Sequence, residues 1–270
     1  MKVLDLSKKV IACGIVFSIL LASCKDDEGT TQSTAPAIPP SSTFVMDFDD
    51  FQGNGNDGGR LAKGNWLHAG LNVLVWNVVI TANLAVPVTA FHESMKQTPE
   101  FIGDNTWQWT FTFEVNEVEH TAKLQGKLVS NGTDWRMLIS KEGEFTDFEW
   151  YTGHSNAELT EGTWRLNIDP NDPRPYLDIE WTRNTDNTVA SIKYTNVIPA
   201  DDNNGSYILY GINQEEPFDR FYDIFIKSEN NLIEIDWDYE TKAGRVKNPA
   251  HFSDEAFHCW DGNLDNVDCQ

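Results

Sequence analysis

From Thr106 onward the chain alternates. In Trp107-Gln-Trp-Thr-Phe-Thr-Phe-Glu-Val115 every odd position is large and apolar and every even one is polar. A period of two sends successive side chains to opposite faces of a strand, so it commits the segment to a sheet with one buried and one wetted face. Trp107, Trp109, Phe111 and Phe113 are expected on the buried side, with Gln108, Thr110 and Thr112 more exposed. Further strands are expected near residues 118–129, 134–141, 145–151, 162–168, 176–183, 189–198, 206–213, 221–228 and 232–239, and an earlier short one over Thr43–Phe48. Turn-forming clusters such as Asn131-Gly132, Glu142-Gly143, Asp169-Pro-Asn-Asp-Pro173 and Asp201-Asp-Asn-Asn-Gly205 divide them. Connections this short join antiparallel neighbours, which makes a meander.

Ahead of the strands the period is helical. A glycine- and asparagine-rich run, residues 52–59, reads as loop, and Asn65 then opens an apolar stretch over Trp66–Val86. Leu67, Leu71, Leu74, Val75, Val78, Ala82 and Ala85 fall on one helical stripe, and His68, Asn72 and Asn83 on another. Pro87 is expected to break or kink this helix, leaving a second helical piece over Val88–Lys96. The length invites a transmembrane reading, but the His, Asn and Thr residues within it favour a buried core helix.

Together these patterns give a mainly β, β-dominated α+β fold. It is a curved antiparallel meander, half-barrel or barrel, with the N-terminal helical segment packed on its apolar face. The order of helix before strands resembles the lipoprotein-carrier half-barrel. Gly162-Thr-Trp164 is similar to the lipocalin Gly-x-Trp, although it stands mid-chain rather than in the first strand. No linker interrupts residues 43–270, which are expected to form a single β-rich domain.

The first residues carry an address. Lys2, Lys8 and Lys9 give a positive start, Val10–Leu21 an apolar run, and small residues follow. The run is about a dozen residues, too short for a hydrocarbon core that needs roughly 20. Leu21-Ala22-Ser23-Cys24 resembles a lipobox. That resemblance implies cleavage of a signal peptide, residues 1–23, and lipidation of Cys24 by a diacylglyceryl group. Lys25-Asp26-Asp27-Glu28 is similar to the acidic export tag of Bacteroidota surface lipoproteins, which implies an outer-membrane protein facing the cell exterior. The Gly, Thr, Ser, Ala and Pro residues after it read as a flexible tether, so that residues 24–42 connect anchor to domain.

The chain carries 20 Lys and Arg against 42 Asp and Glu, a formal charge of −22. So acidic a surface repels phosphate backbones, which excludes nucleic acid as a partner. Its membrane contact is therefore expected through the lipid anchor. With Cys13 lost and Cys24 acylated, Cys259 and Cys269 remain, and an oxidising compartment favours a disulfide between them.

Motifs for chemistry are incomplete. His92-Glu93 begins a zinc-protease string, but Lys96 stands where the second His belongs. Gly153-His-Ser-Asn-Ala157 resembles a nucleophile elbow only loosely, without a βα pattern around it. Asp178 with Glu180, and Glu234 with Asp236 and Asp238, alternate with apolar residues and read as a charged outer face. Asp261, Asn263, Asp265 and Asp268 space oxygen ligands as the opening of an EF-hand loop does, which makes them a calcium candidate. However, Asn266 takes the place of its glycine and the closing Glu is missing. Ten Trp and fifteen Phe are more than a chain of this length needs, and they fill a core, line a cavity or form a sugar-stacking platform. No catalytic residue is assigned. The expectation is a non-enzymatic module that binds a ligand or partner. The alternatives are a carrier or sensor of a hydrophobic molecule at the outer membrane, which needs an apolar pocket between helix and sheet, and an extracellular polysaccharide hydrolase, which needs carboxylates converging in one cleft.

Overall fold

The computed structural model describes residues 34–46, 48, 63–184, 189–213 and 217–269, with the side chains of 79, 81–83 and 189 excepted. The chain divides into two units, Met1–Thr34 and Ala35–Gln270. The expected signal peptide (residues 1–23), Cys24, Lys25–Glu28 and the glycine-rich run 52–59 lie outside the described residues. Apart from Thr34, every described residue belongs to the second unit.

Fourteen strands make one sheet in strict chain order, each antiparallel to the next. They are β1 (Glu100–Gly103), β2 (Thr106–Val115), β3 (Val118–Val129), β4 (Gly132–Lys141), β5 (Phe145–Ser155), β6 (Glu161–Asp169), β7 (Asp172–Arg183), β8 (Val189–Asn196), β9 (Tyr207–Ile212), β10 (Arg220–Ile226), β11 (Asn231–Trp237), β12 (Gly244–Lys247), β13 (His258–Trp260) and β14 (Asn266–Val267). The expected meander is present. Periodicity does not reveal β1, β12, β13 and β14, because two to four residues are too few to display a period.

The sheet does not close, since β1 pairs only with β2 and β14 only with β13. Helix α1 (Gly64–Ser94) runs across the opening and packs against β2, β12, β13 and β14. Its 31 residues make a rod of ~46 Å. It thus touches β2 beside one margin of the sheet and β12–β14 at the other. A short helix, α2 (Pro249–Phe252), is capped by the Asn248 side chain, which accepts from the His251 N–H at 3.3 Å.

On the inner face Trp109, Phe111 and Phe113 are buried and Trp107 is half-buried, while Thr110 and Thr112 face water, as the alternation requires. Strand after strand repeats this, and the inner face, α1 and the segment leading to Phe48 form one hydrophobic cluster. Glycine placement gives the core its texture. Gly126, Gly153, Gly162 and Gly244 each stand directly across from a tryptophan on the neighbouring strand, Trp135, Trp164, Trp181 and Trp260. A Cβ on any of them would lie 2.2–2.8 Å from that indole. The missing side chain is the space into which each tryptophan lies down. Four of the ten tryptophans are accounted for in this way, as packing.

Three expectations need correction. Thr43–Phe48 is not a strand: a 3-10 turn spans Ser41–Thr43, and the chain then threads the interior. Phe44 stacks on Phe91 of α1 at 4.8 Å and meets Tyr151 at 4.9 Å, while the Tyr194 hydroxyl donates to the Phe44 carbonyl and accepts from the Met46 N–H. Ala35 and Ile38 pack on the same core.

The helix does not break at Pro87 either, and α1 continues to Ser94. A proline forfeits one backbone bond and clashes with the preceding turn, at a cost of about 3 kcal/mol. Here buried Pro87 is flanked by the buried Leu84, Ala90 and Phe91, whose packing offsets that cost.

The third correction concerns which stripe of α1 is buried. Leu71, Leu74, Val75, Val78 and Ala85 face outward, and Ala69, Val73, Ile80, Leu84, Ala90 and Phe91 face the core. Both stripes are apolar, so hydropathy alone cannot rank them. The inward one carries Phe91, which fits between Phe44 and Trp164, and two alanines that allow close approach.

Candidate functional site

The outer face is built of the residues that alternate with the core residues along each strand. Over β2–β7 it is a lattice of cross-strand ion pairs. Lys123 pairs with Asp147, Arg136 with Glu149, and Arg165 takes Asp178 with two hydrogen bonds of 2.7 and 2.6 Å. His154 Nδ1 lies 2.8 Å from Asp134. A shallow trough of about 650 Å³ lies along this lattice, lined by Gln125, Lys127, Asp134, Arg136, Arg165 and Glu180 among others. Its charges are mutually satisfied and its face is open, which makes it a solvated surface.

Over β8–β12 the outer face changes character. The register aligns Lys193, Leu209, Asp223, Glu234 and Lys247 in one row. Thr195, Tyr207, Phe225 and Leu232 form the row on one side, and Ser191, Gly211, Phe221, Asp236 and Arg245 the row on the other. Asp223 therefore sits among Tyr207, Leu209, Phe221, Phe225 and Leu232, all partly exposed on a face where alternation predicts polar residues. Tyr207 and Phe225 approach at 5.6 Å between ring centres. Phe221 folds over Gly211, where a Cβ would be 2.3 Å from the ring.

Electrostatics single out Asp223. The cations around it are committed to other carboxylates: Lys193 to Glu180 at 3.5 Å, Lys247 to Glu234 at 2.7 Å and Arg245 to Asp236 at 2.7 Å. Lys193 also caps the Tyr207 ring at 4.7 Å. Partial burial, then the negative charges of Glu234 and Asp236, raise the Asp223 pKa to about 6. The same burial and the charges of Asp223 and Glu234 raise that of Tyr207. Like charges directly opposite on paired strands are destabilising. The fold therefore carries a half-buried carboxylate in an aromatic setting with neighbours of its own sign. Sequence reasoning lists Glu234 and Asp236 but misses Asp223, Tyr207, Phe221 and Phe225. Asp223 alternates with phenylalanines, a visible signal whose meaning depends on which face is outward.

The C-terminal residues behave differently. Cys259 and Cys269 are bonded, with Cα atoms 5.2 Å apart. Of the calcium candidate, Asp261, Asn263 and Asp265 come together through an Asx-type turn. One Asp261 carboxylate oxygen accepts from the N–H groups of Asn263 at 2.9 Å and Asp265 at 3.1 Å, while Asp268 stays exposed outside this set. The Asp261 carboxylate thus organises the turn, and those hydrogen bonds lower its pKa. Among the described residues no group of three His, Cys, Asp or Glu side chains is placed to hold a metal.

This C-terminal segment grips the start of α1. Asn65 donates from its side chain to the Cys259 carbonyl and from its backbone to Asn266. His68 stacks on His251 at 3.8 Å and contacts Phe252, which in turn stacks on His258 at 3.7 Å. Asn248 Nδ2 lies 3.0 Å from His68 Nε2. Burial first, then His251 and His258, lower the His68 pKa to about 4, so the ring is neutral and its Nε2 accepts.

The chain matches no family, curated protein or solved structure. The site must be read from its own chemistry.

Proposed function

We propose that the protein is a surface-anchored lipoprotein of the outer membrane whose folded unit is a non-enzymatic binding module. The address rests on the lipobox residues up to Cys24 and the acidic run Lys25, Asp26, Asp27 and Glu28. The binding surface is the outer face of β9–β11, and its preferred partner presents a cationic group, an arginine or lysine side chain with apolar neighbours.

One observation carries this reading: Asp223 is a half-buried carboxylate ringed by Tyr207, Leu209, Phe221, Phe225 and Leu232, with every adjacent cation engaged elsewhere. A guanidinium or ammonium group placed there relieves its repulsion with Glu234 and Asp236, and the rings cover the apolar part of the partner. A hydrophobic-molecule carrier finds less support, because Phe44 and Met46 occupy the space between α1 and the sheet. A polysaccharide hydrolase finds less as well, because Asp178, Glu180, Glu234 and Asp236 are held in ion pairs along an open face.

Two measurements test the proposal. Cys24→Ala is expected to abolish lipid labelling and membrane fractionation; unchanged labelling rules out the anchor. An array of Arg- and Lys-containing peptides with apolar flanks is expected to bind the wild type. Asp223→Asn should weaken that binding about tenfold or more, the scale of a charge-assisted contact. An array silent toward wild type, or equal binding by both proteins, rejects the patch as the binding surface.

A further inference from the structure

The outward stripe of α1 stands apart from the hydrophobic core of the described residues. Leu71, Leu74, Val75 and Val78 are 52, 48, 63 and 58 % exposed. They succeed one another at the helical spacing of three and four residues, so they make one continuous apolar band. The helix also lacks charge: from Gly64 to His92 there is no Asp, Glu, Lys or Arg, in a chain where such residues make up 23 %. No helix among the described residues is long and apolar enough to cross a membrane.

We infer that this band lies against the lipid surface to which the chain's own anchor is attached. The inference rests on the anchored reading above and adds the orientation of the folded unit. Three observations choose lipid over other occupants. First, the folded unit starts close to the anchor: residues 25–34 reach ~35 Å at full extension. A tether this short holds the band at an effective concentration near the membrane at which weak apolar contact suffices.

Second, the described chain begins on the inner side of the sheet, the side on which α1 also packs. Pro36 lies over Gly126, where a Cβ would be 3.1 Å from its ring, and Gly126 belongs to the inner face that α1 covers. Third, a second copy is a poor match. The exposed halves of four aliphatic side chains give roughly 300–400 Å² per copy, so a symmetric pair buries under ~800 Å² against the ~1,200–2,000 Å² of stable interfaces. Each copy would also bring a charge of −22.

The test uses the acylated chain in phosphatidylcholine vesicles, spin-labelled at Val75→Cys. Acylation of Cys24 and the Cys259–Cys269 bond leave the introduced cysteine as the free thiol. Thr110→Cys, exposed on the outer face of β2, is the reference, and Leu71→Cys repeats the measurement should one label disturb the helix. Collision with lipid-soluble oxygen relative to a water-soluble nickel chelate is expected to be severalfold higher at positions 75 and 71 than at 110. Equal ratios in protein that floats with the vesicles overturn the orientation and leave the anchor standing. Failure to float with the vesicles overturns both. Dipolar broadening between labels, with exclusion of both reagents, assigns the band to a second copy and overturns the lipid contact.

Discussion

Gly153 and Trp164 face each other across β5 and β6 so closely that a Cβ on the glycine would sit 2.2 Å from the indole and 2.5 Å from the Thr163 carbonyl. The tryptophan is fully buried and in turn packs on Phe44 and Phe91, so it has nowhere to retreat. Gly153→Ala is expected to destabilise the protein by about 1–3 kcal/mol, the usual cost of overpacking. Urea denaturation beside Thr110→Ala, an exposed reference, checks it. Equal midpoints would show that the indole moves freely.

Asp223 yields a pH-dependent prediction. Its folded pKa of about 6 stands above the ordinary 3.8. The folded state thus holds the proton more tightly, and stability present below pH 3.8 is lost as pH rises through 6. Asp223→Asn, which cannot ionise, is expected to be more stable than wild type at pH 7.5 and equal to it near pH 3.5. Thermal unfolding at the two pH values decides, and a destabilised variant at pH 7.5 would mean the carboxylate has a stabilising partner.

His68 acts in the opposite direction. Its folded pKa of about 4 lies below 6.5, so between these values the unfolded chain binds a proton that the folded one refuses. Stability falls as pH drops from 6.5 toward 4. His251 and His258 stand beside it, with Asp254 on the far side of His258. His68→Gln keeps an acceptor for Asn248 and is expected to flatten that fall. A slope identical to wild type would place the acid sensitivity in other histidines.

The Cys259–Cys269 bond closes a loop between residues ten apart in sequence. Serine at both positions should cost roughly 2.5–3 kcal/mol through the gained freedom of the unfolded chain. Because Asn65 donates to the Cys259 carbonyl, the first turn of α1 should also exchange its amide hydrogens faster. Loss of stability without faster exchange at residues 64–68 would confine the bond's effect to the unfolded state.

The sequence by itself determined the sheet. Ten-residue alternations such as that of β2 have one solution in water, and the turn clusters between them leave only a meander. It also made the disulfide legible, since Cys259 and Cys269 lie close enough in the chain to be closed by a short turn. Tertiary structure decided the rest. Four strands of two to four residues exist because the neighbouring strand supplies their hydrogen-bond partners, not because their residues show a period. The apolar stripes of α1 are equivalent in hydropathy, and the choice fell to the one carrying Phe91, which has a slot between Phe44 and Trp164. The place of Asp223 between Phe221 and Phe225 was legible, but not that this face is the outward one. Only the register, by setting it opposite Glu234 and pairing each nearby cation with another carboxylate, makes it the one whose charge is costly.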